Sequence, residues 1–175
     1  MRIRKITLCL LLYLALAGCI IESRQLKALK AFVSRPAVDL SSHLWELRFS
    51  GYHALVNAVE KDGRTFFVNE NSDFLEFDGW MIIEVQGLRQ FFRPWKIVDV
   101  EDQRNFYTAG QVRVKHQCES WNQRKDDQST IFSQTCLSQQ SYTNTVLVDS
   151  LGRISHIKQV IDDSGNFLSL RLMGN

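Results

Sequence analysis

A chain of 175 residues, 45% of them hydrophobic, is long enough for one ordinary domain with a packed core and too short for two. The 21 basic and 19 acidic residues nearly balance, and three of the basic residues lie within the first five positions. Without residues 1–18 the chain carries 18 basic and 19 acidic residues, a formal charge of −1. Because no excess of positive charge remains to hold a polyphosphate backbone, the composition predicts that nucleic acid is not a partner.

The first 18 residues have the layout of a cleaved secretion signal. A basic start is followed by an apolar run over residues 6–17, which is shorter than the ~20 residues that a helix needs to cross a bilayer. The next motif, Leu16-Ala17-Gly18-Cys19, resembles the bacterial lipobox, whose cysteine receives a diacylglycerol and, after cleavage, a further fatty acid such as palmitate. We predict that Cys19 is this membrane anchor. Since Ile20 follows it in place of an aspartate, we predict the outer membrane, facing the periplasm.

The sequence predicts one helix in the mature chain, at residues 22–33. Leu26, Leu29 and Phe32 recur at helical spacing, and Pro36 follows the end. The apolar stripe favours packing on the domain over a role as a spacer above the membrane. We therefore divide the mature chain into a lipidated N-terminus with a helix, residues 19–43, and a β domain, residues 44–175.

The β domain is a series of short strands separated by tight turns. Strand-like runs cover residues 54–59, 65–69, 80–85, 96–100, 145–148, 154–161 and 167–172. Asp62-Gly63 and Asp78-Gly79 indicate two-residue hairpin loops, because Asp-Gly tolerates the positive φ angles of a type I′ turn. Many strands at short, regular spacing predict a mainly β fold, either an antiparallel β-barrel or a strongly bent sandwich, with the one N-terminal helix.

The second of these turns also predicts a register. A two-residue loop at Asp78-Gly79 places Phe77 opposite Trp80 and Leu75 opposite Ile82. Both faces of this ribbon are then largely apolar, which predicts that it is covered on both sides.

Cys118 and Cys136 are the two thiols left once the signal is removed and Cys19 is lipidated. The polar segment 124–128 lies midway between them, so a hairpin centred near Asp127 places the two cysteines opposite each other. Disulfides persist outside the cytoplasm, and no Cys-x-x-Cys motif or histidine cluster points to redox chemistry or a metal instead. We predict a structural disulfide between Cys118 and Cys136.

Patterns typical of an active site are absent from the sequence. The four histidines are scattered, no Gly-x-Ser-x-Gly elbow occurs, and no glycine-rich phosphate loop is present. Asp99, Glu101 and Asp102 form an acidic cluster that could supply the carboxylates of a glycoside hydrolase, but a solvated turn is the simpler interpretation. We expect no enzymatic activity, no cofactor and no metal.

Aromatic side chains remain as candidates for contact with a ligand or partner. The candidates are Trp80, Phe91, Phe92 and Trp95. Core packing is the usual role of any one of them. Because adjacent strand residues point to opposite faces, Phe91 and Phe92 cannot both enter one core. One of them is left to face a ligand, a partner or the helix.

Two stretches, together with the lipobox and the helix, resemble the group 4 capsule polysaccharide lipoproteins (YjbF/GfcB-like). They are residues 48–56, which enter the first hairpin, and residues 75–88, which combine a glycine turn, an apolar strand and the pair Gly87-Leu88. Trp80 departs from the basic residue usual at its position. The resemblance implies a β-barrel-like lipoprotein that assists capsule or exopolysaccharide secretion or assembly at the outer membrane. It implies contacts with polysaccharide or export-machinery proteins, and no catalytic residue.

Two alternatives stay open at this point. One is a periplasmic carrier that shelters the acyl chains of lipids or lipoproteins in an incomplete, apolar barrel. The other is a glycan-modifying hydrolase that uses the carboxylates near Asp99.

Overall fold

The structure is a computed structural model that describes residues 44–174. The predicted signal peptide, Cys19 and the predicted helix at residues 22–33 lie outside the described residues. Within residues 44–174, no helix is long and apolar enough to cross a membrane. The strands are β1 (Leu44–Phe49), β2 (Tyr52–Lys61), β3 (Arg64–Val68), β4 (Phe74–Phe77), β5 (Ile82–Gly87), β6 (Phe91–Val100), β7 (Gln103–Thr108), β8 (Gln111–Cys118), β9 (Asn122–Lys125), β10 (Ser129–Leu137), β11 (Ser141–Asp149), β12 (Ile154–Val160) and β13 (Phe167–Leu172).

Twelve of these strands close into an antiparallel barrel, which confirms the predicted fold class. Strands β1 to β8 pair in chain order, β8 pairs with β10, β10 to β13 follow in order, and β13 pairs with β1. Strand β9 pairs only with β10 and lies beside the ring. The β10–β11 pairing closes the ring, so each of its twelve strands is paired on both sides and none is an edge strand of an open sheet. Because the strands alternate in direction, the β1–β2, β3–β4 and β5–β6 connections share one end of the barrel, and β2–β3, β4–β5 and β6–β7 share the other.

The barrel interior is filled with side chains. In β1, Trp45, Leu47 and Phe49 are buried while Arg48, between them, is exposed, as expected of a strand with one buried face. The largest fully buried side chains are Trp45, Arg104, Phe49, Phe67, Phe77 and Phe106. Close packing of this kind makes the interior a core.

The turn predicted at Asp62-Gly63 is confirmed. Asp62 and Gly63 have φ angles of 53° and 74°, and Lys61 pairs with Arg64 across the two-residue loop. Two positive φ angles define the type I′ turn, whose twist matches that of the flanking strands.

The register predicted at Asp78-Gly79 is wrong. Phe77 pairs with Ile82, not with Trp80, and Leu75 pairs with Val85. The reason is local, because the Asp78 carboxylate accepts hydrogen bonds from the backbone N–H groups of Trp80 (2.9 Å) and Met81 (2.8 Å). The Asp78 N–H also donates to the Met81 carbonyl (3.1 Å). An aspartate that bonds its own following backbone stabilises a longer loop, here residues 78–81.

The predicted disulfide between Cys118 and Cys136 is present. The two cysteines are register partners on β8 and β10, strands that share only one further residue pair, Gln117 with Leu137. By comparison, β10 and β11 share nine pairs. The covalent bond therefore holds the shortest strand pairing in the described ring.

Candidate functional site

A cleft of about 480 Å³ opens at the end of the barrel where the β1–β2, β3–β4 and β5–β6 connections meet. We call it the rim cleft. It is lined by Tyr52, Asn71, Ser72, Asp73, Gln86, Gly87, Arg89, Phe91 and Phe92. Because this concave surface brings aromatic rings together with several polar groups, we take it as the candidate ligand site.

Asp73 links three segments of the rim cleft through hydrogen bonds. Its Oδ2 accepts hydrogen bonds from the Tyr52 hydroxyl (2.5 Å) and from Asn69 Nδ2 (2.7 Å), and its Oδ1 accepts from the Leu88 N–H (2.7 Å). Asp73 is buried, so these three donors replace the water that a carboxylate otherwise requires. The hydrogen bond to Asp73, aided by burial, raises the pKa of Tyr52, which keeps its phenol protonated.

The backbone beside Asp73 takes an uncommon path. Gly87, Leu88 and Arg89 all have positive φ angles, of 90°, 51° and 61°, and the Gln90 N–H donates to the Gly87 carbonyl (3.1 Å). A Cβ on Gly87 would lie 2.6 Å from Asp73 Oδ1, so only glycine fits here. Left-handed non-glycine residues cost about 1–2 kcal/mol each and gather at ligand-binding segments.

This left-handed turn presents Arg89 to the cleft. The Arg89 guanidinium lies over the Tyr52 ring, with Cζ 5.2 Å from the ring centroid. Such a cation–π contact orients the side chain while its N–H groups stay available. The cleft thus combines an exposed cation with a buried carboxylate whose two oxygens both accept hydrogen bonds.

The structure places the four predicted aromatic contacts in different environments. Phe91 and Phe92 line the rim cleft on opposite faces of β6, with Phe91 5% exposed and Phe92 89% exposed. Trp95 packs edge-on against Phe91, with ring centroids 5.8 Å apart, and is partly buried. Phe92 is therefore the ring that can stack on a ligand.

Trp80 lies at the other end of the barrel, in the β4–β5 connection. Its ring centroid is 5.9 Å from that of Trp121 and 5.1 Å from that of Phe132. It is partly buried against the core. The predicted aromatic residues do not form one continuous strip.

Two carboxylates of the acidic cluster near Asp99 have hydrogen-bond partners within the described chain, and the third, Glu101, is exposed. Asp99 accepts two hydrogen bonds from Arg104, from Nε (2.8 Å) and from Nη2 (3.1 Å), and Arg104 is fully buried. Asp102 accepts from Gln117 Nε2 (2.5 Å). A carboxylate held by a guanidinium is occupied in structure rather than available to act on a substrate.

Sequence reasoning missed Arg104, because an arginine next to a turn looks solvated. Its partners lie on other strands, so only the register Asp99 to Arg104 across β6 and β7 reveals the pair.

A second cleft, of about 340 Å³, lies beside the disulfide-linked strands. It is lined by Gln103, Val114, Lys115, His116, Gln117, Leu137, Ser138, Gln139 and Asp163. His116 is buried there, with Nδ1 2.7 Å from the Tyr142 hydroxyl. Burial lowers the pKa of His116 and raises that of Tyr142 to about 12. The pair is a neutral, hydrogen-bonded part of the core at pH 7.

The histidines of the described chain stay apart. His53 contacts Glu46 and His156 contacts Ser169 (2.9 Å), each on a different strand from His116. Within residues 44–174, no group of three His, Cys, Asp or Glu side chains is placed to hold a metal ion.

Comparisons with known proteins bear on the fold. No protein-family model matches the chain, and no curated protein matches it by sequence. Among solved structures, the hypothetical lipoprotein YmcC from Escherichia coli K12 matches with a TM-score of 0.54 and 10% sequence identity. The match covers 87% of this chain and 95% of that protein. At this identity the likeness shows a shared fold.

Proposed function

We propose that the protein is a non-catalytic lipoprotein, anchored through Cys19 in the outer membrane and facing the periplasm, that assists secretion or assembly of a capsule or exopolysaccharide. It does so by holding the polysaccharide at the rim cleft, next to export-machinery proteins. Leu16-Ala17-Gly18-Cys19 supports the anchor. The fold shared with a protein described as a lipoprotein supports the same class, and the resemblance to capsule lipoproteins supports the process.

The observation that carries the proposal is the exposure of Phe92 beside the polar groups of the rim cleft. Within residues 44–174, Phe92 makes no aromatic contact and leaves 89% of its surface exposed, so its ring is accessible to a ligand in the cleft. An aromatic face binds the apolar C–H face of a sugar ring, while neighbouring amide and hydroxyl groups bind the sugar hydroxyls. Asn71, Ser72 and Gln86 supply such groups in the same cleft.

The structure supports the two alternatives less well. A carrier needs an apolar cavity in an incomplete barrel, whereas this barrel closes and large side chains such as Trp45, Phe67 and Phe106 fill it. A hydrolase needs two available carboxylates, whereas Asp99 is bonded to Arg104.

The test is polysaccharide binding by the full-length, detergent-purified protein, with the capsule or exopolysaccharide fraction extracted from the producing cells. We expect Phe92→Ala to weaken binding about 3- to 10-fold, the loss typical of one aromatic stacking contact. Mass spectrometry of the same preparation should find the acylated thioether on Cys19.

The matched control is Leu151→Ala. Leu151 is 72% exposed and lies in the β11–β12 turn, at the end of the barrel opposite the rim cleft, so its replacement should leave binding unchanged. Equal binding by wild type and Phe92→Ala, or absence of binding by wild type, would count against the proposal.

A further inference from the structure

We propose that the rim cleft takes an acidic polysaccharide and that Arg89 binds a carboxylate on one of its sugars. This inference rests on the proposed function, since it names the class of glycan that the same cleft would hold. It is argued from the charges, the rigidity and the neighbours of Arg89.

Arg89 is a cation without an anionic partner among residues 44–174. Four arginines of the described chain pair with carboxylates, namely Arg48, Arg64, Arg104 and Arg153, whereas Arg93, Arg113, Arg124 and Arg171 share with Arg89 the lack of an ion pair there. What sets Arg89 apart is its place in the rim cleft. Among residues 44–174, no carboxylate lies within ion-pair distance of Arg89, which is exposed and contacts the Tyr52 ring instead. Its five N–H groups are therefore available to an anion from outside.

Asp73 does not compete for this charge. Both Asp73 oxygens already accept hydrogen bonds, from Tyr52, Asn69 and Leu88, and the residue is 3% exposed. The carboxylate is thus turned toward its own donors beneath the surface. The cation that faces solvent in the cleft is Arg89.

The backbone that carries Arg89 is held in place before any ligand arrives. The Leu88 N–H is bonded to Asp73, Leu88 is fully buried, and the turn is closed from Gln90 to Gly87. Placing a guanidinium on a rigid turn reduces the ordering cost of binding. A planar guanidinium also matches a carboxylate with two parallel hydrogen bonds, which an ammonium cannot do.

The neighbours of Arg89 suit a sugar that carries the carboxylate. The exposed Phe92 ring and the amides of Asn71 and Gln86 line the same cleft. A uronate residue offers a ring face to Phe92, hydroxyl groups to the two amides and a carboxylate to Arg89. Salt should weaken such binding, because the charge pair is open to solvent.

The test uses full-length protein with oligogalacturonate and with the same oligosaccharide after methyl esterification, which removes the negative charge and keeps the sugar chain. We expect wild type to prefer the free acid about tenfold. Arg89→Gln should remove that preference, and Arg89→Lys should restore only part of it.

Arg93→Gln is the matched control, because Arg93 is exposed on β6 but does not line the cleft. It removes the same charge and should keep the preference. Equal binding of acid and ester by wild type, loss of the preference in Arg93→Gln as well, or no binding of either oligosaccharide overturns the inference. Binding of the extracted polysaccharide that still depends on Phe92 would then leave the proposed function standing, whereas loss of that dependence would remove both.

Discussion

The two sides of the barrel interior differ in chemistry. We call the inward faces of β1–β5 and β13 the apolar wall, and those of β6–β8 and β10–β12 the polar wall. The apolar wall is built from Trp45, Leu47, Phe49, Val56, Ala58, Phe67, Leu75, Phe77, Ile82, Val85, Leu168 and Leu170. Among its own apolar residues, the polar wall buries Asp99, Arg104, His116, Gln134, Tyr142, Asn144 and Gln159, with Asp99 only partly covered.

Hydrogen bonds link Arg104, Asp99, Gln134 and Asn144 of the polar wall into one network, while His116 and Tyr142 bond each other. Gln134 Nε2 donates to Asp99 (3.4 Å), Asn144 Nδ2 donates to Gln134 Oε1 (3.3 Å), and the Val160 N–H donates to Asn144 Oδ1 (2.9 Å). Gln159 reaches the apolar wall, where its Oε1 accepts from the Ile82 N–H (2.9 Å). Buried polar groups in a low-dielectric interior require such partners.

The comparison teaches that the polar groups of the interior bond one another, whereas the cation of the rim cleft is left open to solvent. Arg104 is buried and bonded to Asp99, whereas Arg89 is exposed and unpaired within the described chain. The same residue type therefore serves the fold in one place and is available to a ligand in the other.

The largest expected effect comes from breaking the polar wall at Asp99. Asp99→Ala leaves Arg104 as a buried charge without its partner, so it should lower the free energy of unfolding by about 3–5 kcal/mol. Replacing both, Asp99→Leu with Arg104→Met, should recover much of that loss, because no buried charge remains. Urea denaturation measures both variants.

The apolar wall serves as the control, because there a second replacement should lower the free energy of unfolding further and not restore it. Phe67→Ala should also cost about 3–5 kcal/mol, but adding Leu75→Ala at the paired position should lower stability further, since both leave cavities. If the double replacement of Asp99 and Arg104 is no more stable than Asp99→Ala, the two walls do not differ as described.

The next effect is that of the disulfide in the polar wall. Replacing Cys118 and Cys136 by serine should cost about 3 kcal/mol in the chain-entropy model, and β8 and β10 would then be held by two residue pairs alone. Along the apolar wall, β1 and β2 share six pairs without a covalent bond.

Urea denaturation with and without reductant measures this contribution. The reductant should destabilise wild type and leave the double serine variant unchanged. Equal denaturation midpoints for reduced and oxidised wild type would show that the disulfide does not stabilise the β8–β10 pairing.

The smallest effect is a pH dependence that the polar wall adds. Burial, and then the charge of Arg104, lower the pKa of His116 in the folded state, with Asp162 and Asp163 opposing. The pKa of a histidine in the unfolded chain is about 6.5, so as pH falls below that value the unfolded chain binds the proton first. The free energy of unfolding therefore falls with decreasing pH. His116→Gln should reduce this fall between about pH 7 and pH 5.

His156 is the comparison for that measurement. Burial, followed by the charges of Arg171 and Lys158, lowers its pKa too, so His156→Gln should remove a separate part of the fall. An identical pH profile for wild type and His116→Gln would contradict the assignment of a buried, neutral His116.

Local chemistry explains which features were predictable. Asp62-Gly63 specifies its turn because the two residues tolerate positive φ, and Cys118 with Cys136 follows from their distances to one polar turn. Strand β7 was missed because its sequence, with Arg104 and Asn105 buried, has no apolar alternation. The acidic cluster at Asp99 was interpreted as a solvated turn because its bond to the buried Arg104 is not visible in the local sequence.

The rim cleft was only partly predictable. Phe91 and Phe92 drew attention as adjacent aromatics, and Gly87 is the one other signal, since a glycine inside a strand pattern marks a close backbone approach. Tyr52 begins β2, Asp73 lies in the β3–β4 connection and Arg89 in the β5–β6 connection, and no local pattern links them.

The sequence by itself determined the strand-rich fold class, one hairpin turn and the disulfide, because alternation, turn chemistry and cysteine spacing act over a few residues. Only the tertiary structure decided the closed ring, the polar wall and the rim cleft. The residues that form them lie on strands far apart in the chain. The role of a buried arginine or an exposed phenylalanine therefore depends on the neighbours that the barrel brings next to it.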